Sequence, residues 1–387
     1  METQIWNILQ LKLLKSFNKL KMRKDVFLRK LYKFKIYITN ILINLYRTLF
    51  FFSDKKKDPI YSWNINIWKH QYISNLLEEK KVYFVPSTLT SKKFNKRWKQ
   101  KILLNSKSEI LIWGRDYPTY LDDFIKKYQI KVTFVEDGFI RSIGLGSNYE
   151  LPLSLNFDSK TLYFDATKES DLEIILQTYD FKNDKSLMTR AMTIKSKLLR
   201  YGISKYNHAS QVNLYNIYGK KTKKRILVVG QVEDDASIKY GCNQKINNND
   251  LVRIAYHENP DAQIIYKPHP DVLFKRRKAL SNPKDVENIS LVIKDSIPIS
   301  QALETIDHVY TITSQVGFEA LLRDIKVTTI GLPFYAGWGL TNEKQKCLRR
   351  TRKLTIDELF AGAYILYPIY FDSKKRINIE DVLDKLV

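Results

Sequence analysis

Short runs of apolar residues alternate with longer amphipathic stretches from about residue 81 onward. The short runs predict β-strands, and stretches whose apolar residues recur every three or four positions predict helices. In the first half the predicted strands are 82–85, 110–113 and 132–135, and the predicted helices are 92–104, 118–128 and 180–199. This alternation is typical of parallel sheets with helical crossovers.

A polar stretch at 218–224 separates this half from a second alternating region. Its predicted strands are 225–229, 263–266, 291–293, 308–312 and 327–330, and its predicted helices lie near 248–257, 299–305 and 317–323. The two regions predict an α/β protein in which two Rossmann-like domains face a central cleft.

We therefore expect the chain to have four parts. A basic extension occupies residues 1–58, a first Rossmann-like domain 59–218 and a second Rossmann-like domain 219–345. The final segment, 346–387, looks helical and aromatic, and we expect it to pack back across the domains.

Positive charge is concentrated at the N-terminus. The chain has a formal net charge of +24, and residues 1–58 hold 14 Lys or Arg against 4 acids. Apolar residues there recur at roughly helical spacing, and a basic amphipathic helix suits an anionic membrane surface. The longest uncharged run, 36–46, is too short to span a bilayer, and no signal-peptide cleavage site follows it. Peripheral membrane attachment is the favoured prediction, and a soluble basic extension is the alternative.

Other partners and compartments receive less support. We find no RNP-like, zinc-finger or helix-turn-helix pattern that would favour nucleic acid. The two cysteines, Cys242 and Cys347, form neither a disulfide framework nor a metal motif, which favours a reducing, cytoplasmic setting.

Chemically informative clusters stand at the ends of five predicted strands. They are Val135–Phe139, Gln231–Ser237, Lys267–Asp271, Thr313–Glu319 and Gly331–Gly339. Because the carboxyl ends of parallel strands meet at one edge of a sheet, we expect these clusters to converge on one crevice.

Three consecutive acids, Glu233, Asp234 and Asp235, follow the first predicted strand of the second domain. Gathering carboxylates at the end of a buried strand is costly unless something uses them. The simpler interpretation is an acidic turn in which Asp235 or Ser237 caps the next helix.

The neighbouring clusters favour a reaction in which a phosphate leaves. Thr313 and Ser314 precede a helix and offer hydroxyl and backbone N–H groups to an anion. Lys267 and His269 can neutralise or protonate a phosphate oxygen, and the carboxylates Glu136, Asp137 and Asp235 can act as base or nucleophile. The alternatives are that Ser314 is only a helix cap and that His269, between two prolines, is only a rigid turn residue.

These clusters resemble those of the KpsC-type capsule polysaccharide proteins. The matching motifs follow in the same order: Glu136–Ser142, Leu151–Leu155, Tyr163–Ala166, Lys205–Asn207, Gln231–Ser237, Tyr266–Val272, Thr313–Leu321 and Gly331–Thr341. The resemblance covers roughly residues 80–370. Typical members have two such modules in tandem, and this chain has one, which resembles the C-terminal module.

The resemblance implies a GT-B fold and a retaining β-Kdo transferase, where Kdo is 3-deoxy-D-manno-oct-2-ulosonic acid. The implied donor is CMP-β-Kdo, bound by the second domain, with no cofactor and no metal. The implied acceptor is a Kdo-primed lipid at the inner face of the cytoplasmic membrane, where other capsule assembly proteins are possible partners. A transferase of another CMP-activated acidic sugar and a non-catalytic assembly subunit are the alternatives.

The resemblance also implies roles for individual residues. Asp235 is the implied nucleophile, and Glu136 or Asp137 is the implied acid/base, with Glu136 favoured. His269 and Lys267 are placed on the donor phosphate, together with Thr313 and Ser314. Glu319 is placed on the ribose, and further substrate-binding candidates are Gln231, Pro270, Gln315, Gly317 and Arg141. A nucleophilic Asp235 must stay ionised, so we expect Gln231 or a nearby cation to donate a hydrogen bond to it.

Overall fold

The computed structural model describes residues 57–142, 152–205 and 212–387, apart from 275, 278, 279, 296, 373 and 374. The chain divides into two compact units, one of residues 1–57 and 66–71, the other of residues 58–65 and 72–387. The predicted amphipathic extension, 1–58, falls almost entirely outside the described residues. Both sheets and all the candidate site residues belong to the second unit.

Within the described ranges, thirteen strands form two sheets. They are β1 Pro59–Trp63, β2 Lys81–Phe84, β3 Glu109–Trp113, β4 Lys131–Asp137, β5 Ser154–Asp158, β6 Arg225–Val229, β7 Gln263–Lys267, β8 Leu291–Val292, β9 His308–Thr311, β10 Lys326–Thr329, β11 Asn342–Glu343, β12 Pro368–Phe371 and β13 Arg376–Ile377. The first sheet has the order β13-β12-β5-β4-β3-β1-β2, and the second has the order β11-β10-β9-β6-β7-β8.

Helices separate most of these strands. The α-helices are His70–Leu76, Ser91–Phe94, Gln100–Leu103, Thr119–Tyr128, Asp171–Thr178, Lys185–Arg200, Leu214–Tyr218, Ala236–Gly241, Asn248–Glu258, Pro270–Leu273, Ile299–Ala302, Val316–Leu321, Ile356–Phe360 and Ile379–Leu386. The described residues also form two π-helical pieces, Asn95–Lys99 and Ala361–Leu366, and two 3-10 turns, Ile67–Lys69 and Pro283–Val286.

The second sheet is parallel throughout its described pairings, as the alternation predicts. The ends of β6, β7, β9 and β10 therefore lie at one edge. Every residue of β6 is buried, as expected for a central strand covered by helices on both faces.

The first sheet corrects the prediction of purely parallel pairing. Strands β1 to β4 are parallel, but β5 runs antiparallel to β4, β12 to β5 and β13 to β12. Strands β12 and β13 come from the far end of the chain, so no helical crossover fixes their direction. The segment 346–387, predicted as helical, is thus helical only in part.

The C-terminal segment is tied to the first domain by a buried ion pair as well as by its strands. The Glu173 carboxylate, 4% exposed, accepts hydrogen bonds from Arg349 Nε at 2.8 Å and from Arg350 Nε at 3.1 Å. A large apolar core also spans both domains, with Phe139 and Leu176 from the first and Phe318 and Trp338 from the second.

Candidate active site

The acids at the end of β4 are fixed by short-range contacts. Glu136 Oε1 accepts the backbone N–H of Asp137 at 2.9 Å, and Asp137 Oδ2 accepts a hydrogen bond from Arg141 Nε at 2.9 Å. Arg141 is only 1% exposed and also donates to the Ser142 hydroxyl. The structure therefore places Arg141, a substrate-binding candidate, in a buried ion pair behind the acids.

Gly138 explains why a glycine follows the two acids. A Cβ atom built there would lie 2.1 Å from the Ser154 hydroxyl oxygen, so a side chain would push β5 away from β4. The missing side chain lets β5 approach and keeps the strand end compact.

The three acids after β6 have three different environments. Glu233 accepts the backbone N–H groups of Asn248, Leu280 and Ser281, each at 2.8 Å, and the Ser281 hydroxyl at 2.5 Å. Asp234 forms an exposed ion pair with Arg277 at 2.7 Å. Glu233 therefore holds the loop against the body of the domain, and Asp234 lies on its outer surface.

Asp235 is exposed and caps the helix that follows the loop. Its Oδ1 accepts the backbone N–H of Ser237 at 2.8 Å and so caps the Ala236–Gly241 helix. Among the described residues, no group hydrogen-bonds its Oδ2. The helix-cap interpretation is correct for one oxygen, and the other oxygen remains available to a ligand.

The Gln231 side chain binds the end of β9 instead of Asp235. Its Oε1 accepts the Thr313 backbone N–H at 2.7 Å, and its Nε2 donates to the Thr313 hydroxyl at 3.1 Å and to the Ser237 hydroxyl at 3.4 Å. Asn248 fixes the Gln231 backbone through two 2.9 Å hydrogen bonds. The expectation that Gln231 donates to Asp235 is therefore wrong, because both polar atoms of its amide serve the junction between β6 and β9.

Two basic side chains stand at the end of β7. Lys267 is 6% exposed, and burial lowers the pKa of its ammonium group to about 8. No carboxylate among the described residues forms an ion pair with it. A buried cation without an anionic partner is costly, so the position suits an anionic ligand.

His269 is partly exposed and starts the Pro270–Leu273 helix. Its Nδ1 accepts the Asp271 backbone N–H at 3.1 Å, so a neutral ring carries its proton on Nε2. Burial lowers the pKa of the imidazole, and the charges of Asp271 and Asp235 oppose that change. Pro270 occupies the first helical position, where its missing N–H costs no hydrogen bond.

The segment after β9 joins the two domains. Gln315 Nε2 donates to the Phe139 carbonyl at 2.8 Å and to the Tyr364 hydroxyl at 3.1 Å, while Ser314 stays partly exposed. Tyr335 requires a glycine at position 317, because a Cβ atom built there would lie 2.2 Å from the Tyr335 hydroxyl oxygen. That hydroxyl donates a hydrogen bond to the Ser314 carbonyl at 2.5 Å.

Glu319 lies behind this segment, away from the open side of the site. It is 3% exposed, its Oε1 accepts the Lys205 backbone N–H at 3.4 Å, and its Oε2 has no hydrogen-bond partner. Burial raises the pKa of this carboxyl to about 7. The structure thus places Glu319 in the interior, and its expected contact with a ribose stays a prediction.

The side chain of Tyr163 is influenced by acids of both domains. Its ring packs against Phe139 at a centroid distance of 4.7 Å, and it remains partly exposed. Burial raises the pKa of the phenol, the charge of Lys205 opposes this, and the charges of Glu136, Asp235 and Asp137 add to it. Charges of acids from both domains therefore act on the same phenol.

Sequence reasoning did not select Tyr163 or Lys205 as site residues. Both stand in motifs that carry the resemblance, Tyr163–Ala166 and Lys205–Asn207, and that membership was the available signal. Tyr163 follows a non-strand segment, so a search of strand ends does not find it.

Two further observations concern metals and membranes. Within the described ranges, no group of three or more His, Cys, Asp or Glu side chains could hold a metal ion. The helices of those ranges also include none that is long and apolar enough to cross a bilayer.

Comparison with known proteins gives a consistent result. The family model described as capsule polysaccharide biosynthesis protein matches residues 108–371. The lipopolysaccharide-processing protein LpsZ of Rhizobium meliloti is 42% identical over 316 residues, which cover 82% of this chain and 71% of LpsZ. The capsule polysaccharide modification protein LipA of Neisseria meningitidis is 38% identical over 87% of this chain, which spans 46% of the length of LipA.

Two solved structures from Thermosulfurimonas dismutans have the same fold. The KpsC β-Kdo 2,4 transferase has a TM-score of 0.73 and 30% identity, over 85% of this chain and 97% of that chain. The KpsC β-Kdo 2,7 transferase has a TM-score of 0.66 and 33% identity, over 85% and 99%. The GT-B-like fold and the resemblance to KpsC-type capsule proteins are confirmed.

Proposed function

The chain belongs to the capsule polysaccharide biosynthesis protein family, and we propose that it is a glycosyltransferase that moves Kdo from CMP-β-Kdo with retention of configuration. The proposed acceptor is a Kdo-containing glycolipid linker of capsule biosynthesis. Similarity over 85% of the chain to two structures named as β-Kdo transferases supports the reaction class.

The observation that carries the proposal is a pair of carboxylates at strand ends of the two sheets: Glu136 at the end of β4, and Asp235 after β6, with an oxygen that no described residue hydrogen-bonds. A retaining transfer needs a carboxylate that attacks the anomeric carbon and a second group that handles the acceptor proton. Asp235 has an exposed carboxylate with one oxygen unused, which fits the first role. Glu136, partly exposed at the end of β4, fits the second role.

In the first step, Asp235 Oδ2 attacks the anomeric carbon of the donor. The bond from that carbon to the phosphate oxygen breaks, and CMP leaves with the electron pair, so that Kdo is esterified to Asp235. Lys267 and the Nε2–H of His269 stabilise the negative charge on the departing phosphate. The role that we propose for the Thr313 and Ser314 hydroxyls is to bind the same phosphate.

In the second step, an acceptor hydroxyl attacks the anomeric carbon from the face that CMP has left. Glu136 takes the hydroxyl proton, the new glycosidic bond forms, and the ester to Asp235 breaks. Two inversions restore the β configuration of the donor. We propose Asp137 as a support for Glu136, since Arg141 already holds its carboxylate.

The proposed location is the inner face of the cytoplasmic membrane, with residues 1–58 as one attachment. The basic, amphipathic composition of that extension and the lipid nature of the proposed acceptor support this location.

Incubation with CMP-Kdo, generated in situ, and a short Kdo-terminated acceptor tests the function, with product analysis by NMR. We expect a new β-Kdo linkage. An α-linked product would contradict retention. Transfer from CMP-sialic acid in preference to CMP-Kdo would support a transferase of another CMP-activated acidic sugar. No transfer from either donor would support a non-catalytic subunit.

A further inference from the structure

The helical stretch from Ser91 to Leu103 carries an unusual surface. Between Glu79 and Glu109 the sequence contains no acidic residue, and residues 91–107 contain seven Lys or Arg. We call the outer side of this stretch the basic helix surface, and it consists of Lys92, Lys93, Lys96, Arg97, Leu103 and Leu104.

The inner side of the stretch packs against the apolar core of the first domain. Phe94 and Ile102 are 2% and 0% exposed, and Trp98 packs against the same apolar core. The core therefore fixes which side faces outward, and the basic helix surface is not needed to hold the helix in place.

The basic helix surface itself has no partner within the described part of the chain. Lys92, Lys93, Lys96 and Arg97 are exposed, and no carboxylate among the described residues forms an ion pair with them. Leu103 is 37% exposed and Leu104 is 86% exposed. Cations followed by two exposed leucines form an amphipathic surface that no contact from the described residues covers.

This combination favours an anionic lipid surface over a nucleic acid. Nucleic acids attract cations but offer no apolar phase for an aliphatic side chain. At a lipid interface, lysine and arginine bind headgroups while leucine enters the boundary of the acyl chains. Partly exposed aromatic rings at Tyr83 and Trp98, both in contact with the Lys101 ammonium group, fit the same environment.

The position of the stretch connects it to the cleft. It follows β2, which belongs to the parallel set β1 to β4, and β4 ends at Glu136 and Asp137. The helical stretch therefore begins on the side of the first sheet at which β4 ends, with β1 and β3 lying between β2 and β4, and it leads back to the start of β3.

We propose that the basic helix surface docks the first domain onto an anionic lipid bilayer. A lipid-linked acceptor then reaches Glu136 from the membrane without leaving it. Only the identity of the acceptor rests on the proposed function, because the lipid contact itself needs no transfer reaction.

Flotation of the full chain with vesicles tests the docking. The vesicles contain phosphatidylcholine and phosphatidylglycerol in a ratio of about 3:1, or phosphatidylcholine alone, at about 0.1 M salt. Each basic residue near an anionic surface strengthens binding roughly fivefold. The triple variant Lys92→Glu/Lys96→Glu/Arg97→Glu should therefore bind the anionic vesicles at least about tenfold more weakly than the unmodified chain.

A matched variant separates the surface from overall charge. Lys182→Glu/Lys220→Glu/Lys223→Glu makes the same charge change at three other exposed lysines and should weaken binding less than about threefold. Leu104→Ser should weaken binding to anionic vesicles even at high salt, where charge attraction is screened. Equal losses in the two triple variants, or no loss in the first, would overturn the proposal. Loss of duplex RNA binding with unchanged vesicle binding would overturn it in favour of a nucleic acid.

A transfer assay keeps this inference separate from the proposed function. The first triple variant should retain activity on a short lipid-free acceptor and lose about tenfold on the same acceptor anchored in anionic vesicles. If the unmodified chain transfers no Kdo but the vesicle results hold, the proposed function fails and the docking surface stands.

Discussion

The end of β4 and the loop after β6 each hold neighbouring acids, but they fix these acids through different contacts. Each presents a carboxylate at the edge of a sheet beside a second acid that is firmly anchored. At β4 the anchored acid is Asp137, paired with the buried Arg141 guanidinium. After β6 the anchored acid is Glu233, which accepts three backbone N–H groups and one hydroxyl.

The difference shows that acidic neighbours in a motif need not share a role. A carboxylate whose oxygens are fully hydrogen-bonded stabilises the fold, whereas one with an unused oxygen can react. By this criterion Asp235 is the reactive acid of its loop, Glu233 is an anchor and Asp234 is a surface residue. At β4, the ion pair with Arg141 makes Asp137 the anchor, and we propose the reactive role for Glu136.

The largest expected effect is the loss of activity at Asp235. Asparagine keeps the cap of the Ala236–Gly241 helix but cannot form the ester, so Asp235→Asn should lower kcat roughly 10,000-fold with little change in thermal stability. Asp234→Asn, the adjacent control, should change kcat less than about twofold. Steady-state assays with CMP-Kdo measure both. Similar rates in the two variants would remove Asp235 as the nucleophile.

Substitutions of Glu136 and Asp137 should have different effects. The first should lower activity, and the second should lower stability. Glu136→Gln should lower kcat roughly 100- to 10,000-fold, because the amide cannot accept the proton of the acceptor hydroxyl. Asp137→Ala should instead lower the free energy of unfolding by about 3 kcal/mol, because it removes a carboxylate that pairs with the buried Arg141 guanidinium. Kinetics and denaturant unfolding of both variants test this division. A stable Asp137→Ala protein without activity would reverse the two roles.

Glu233 should behave as an anchor. Glu233→Ala removes the acceptor of four hydrogen bonds, and we expect a loss of about 3 kcal/mol in the free energy of unfolding. Asp234→Ala loses only an exposed ion pair and should cost less than about 1 kcal/mol. Denaturant titration compares the two, and equal costs would argue against the anchor.

The smallest effect concerns Lys267 and pH. With a pKa of about 8, the free ammonium group loses its charge as the pH rises through 8, so an anionic donor should bind less well above that pH. We expect kcat/KM for the donor to fall about tenfold between pH 7 and pH 9. Lys267→Arg keeps its charge over this range and should flatten the fall. A profile that is unchanged in this variant would show that another group titrates.

Much of the fold follows from the sequence pattern. The predicted strands of the second domain match β6 to β10 within a residue or two, because buried central strands are continuous apolar runs. The motifs at their ends meet at one edge for the same reason, since the strands are parallel. Strands β1, β5, β11, β12 and β13 were not predicted. They are short, and local periodicity over so few residues does not reveal pairing between segments that are distant in the chain, such as β5 with β12.

The sequence by itself determined the fold class, the family resemblance and the set of candidate acids and bases. Only the tertiary structure decided how each of them is used. Asn248 and Ser281, distant in sequence, make Glu233 an anchor, and Thr313 takes the Gln231 amide that was expected to serve Asp235. Packing buries Glu319 and brings the Tyr163 ring against Phe139. A side chain's type fixes what it can donate or accept, but its partners and its access to solvent depend on which segments fold against it.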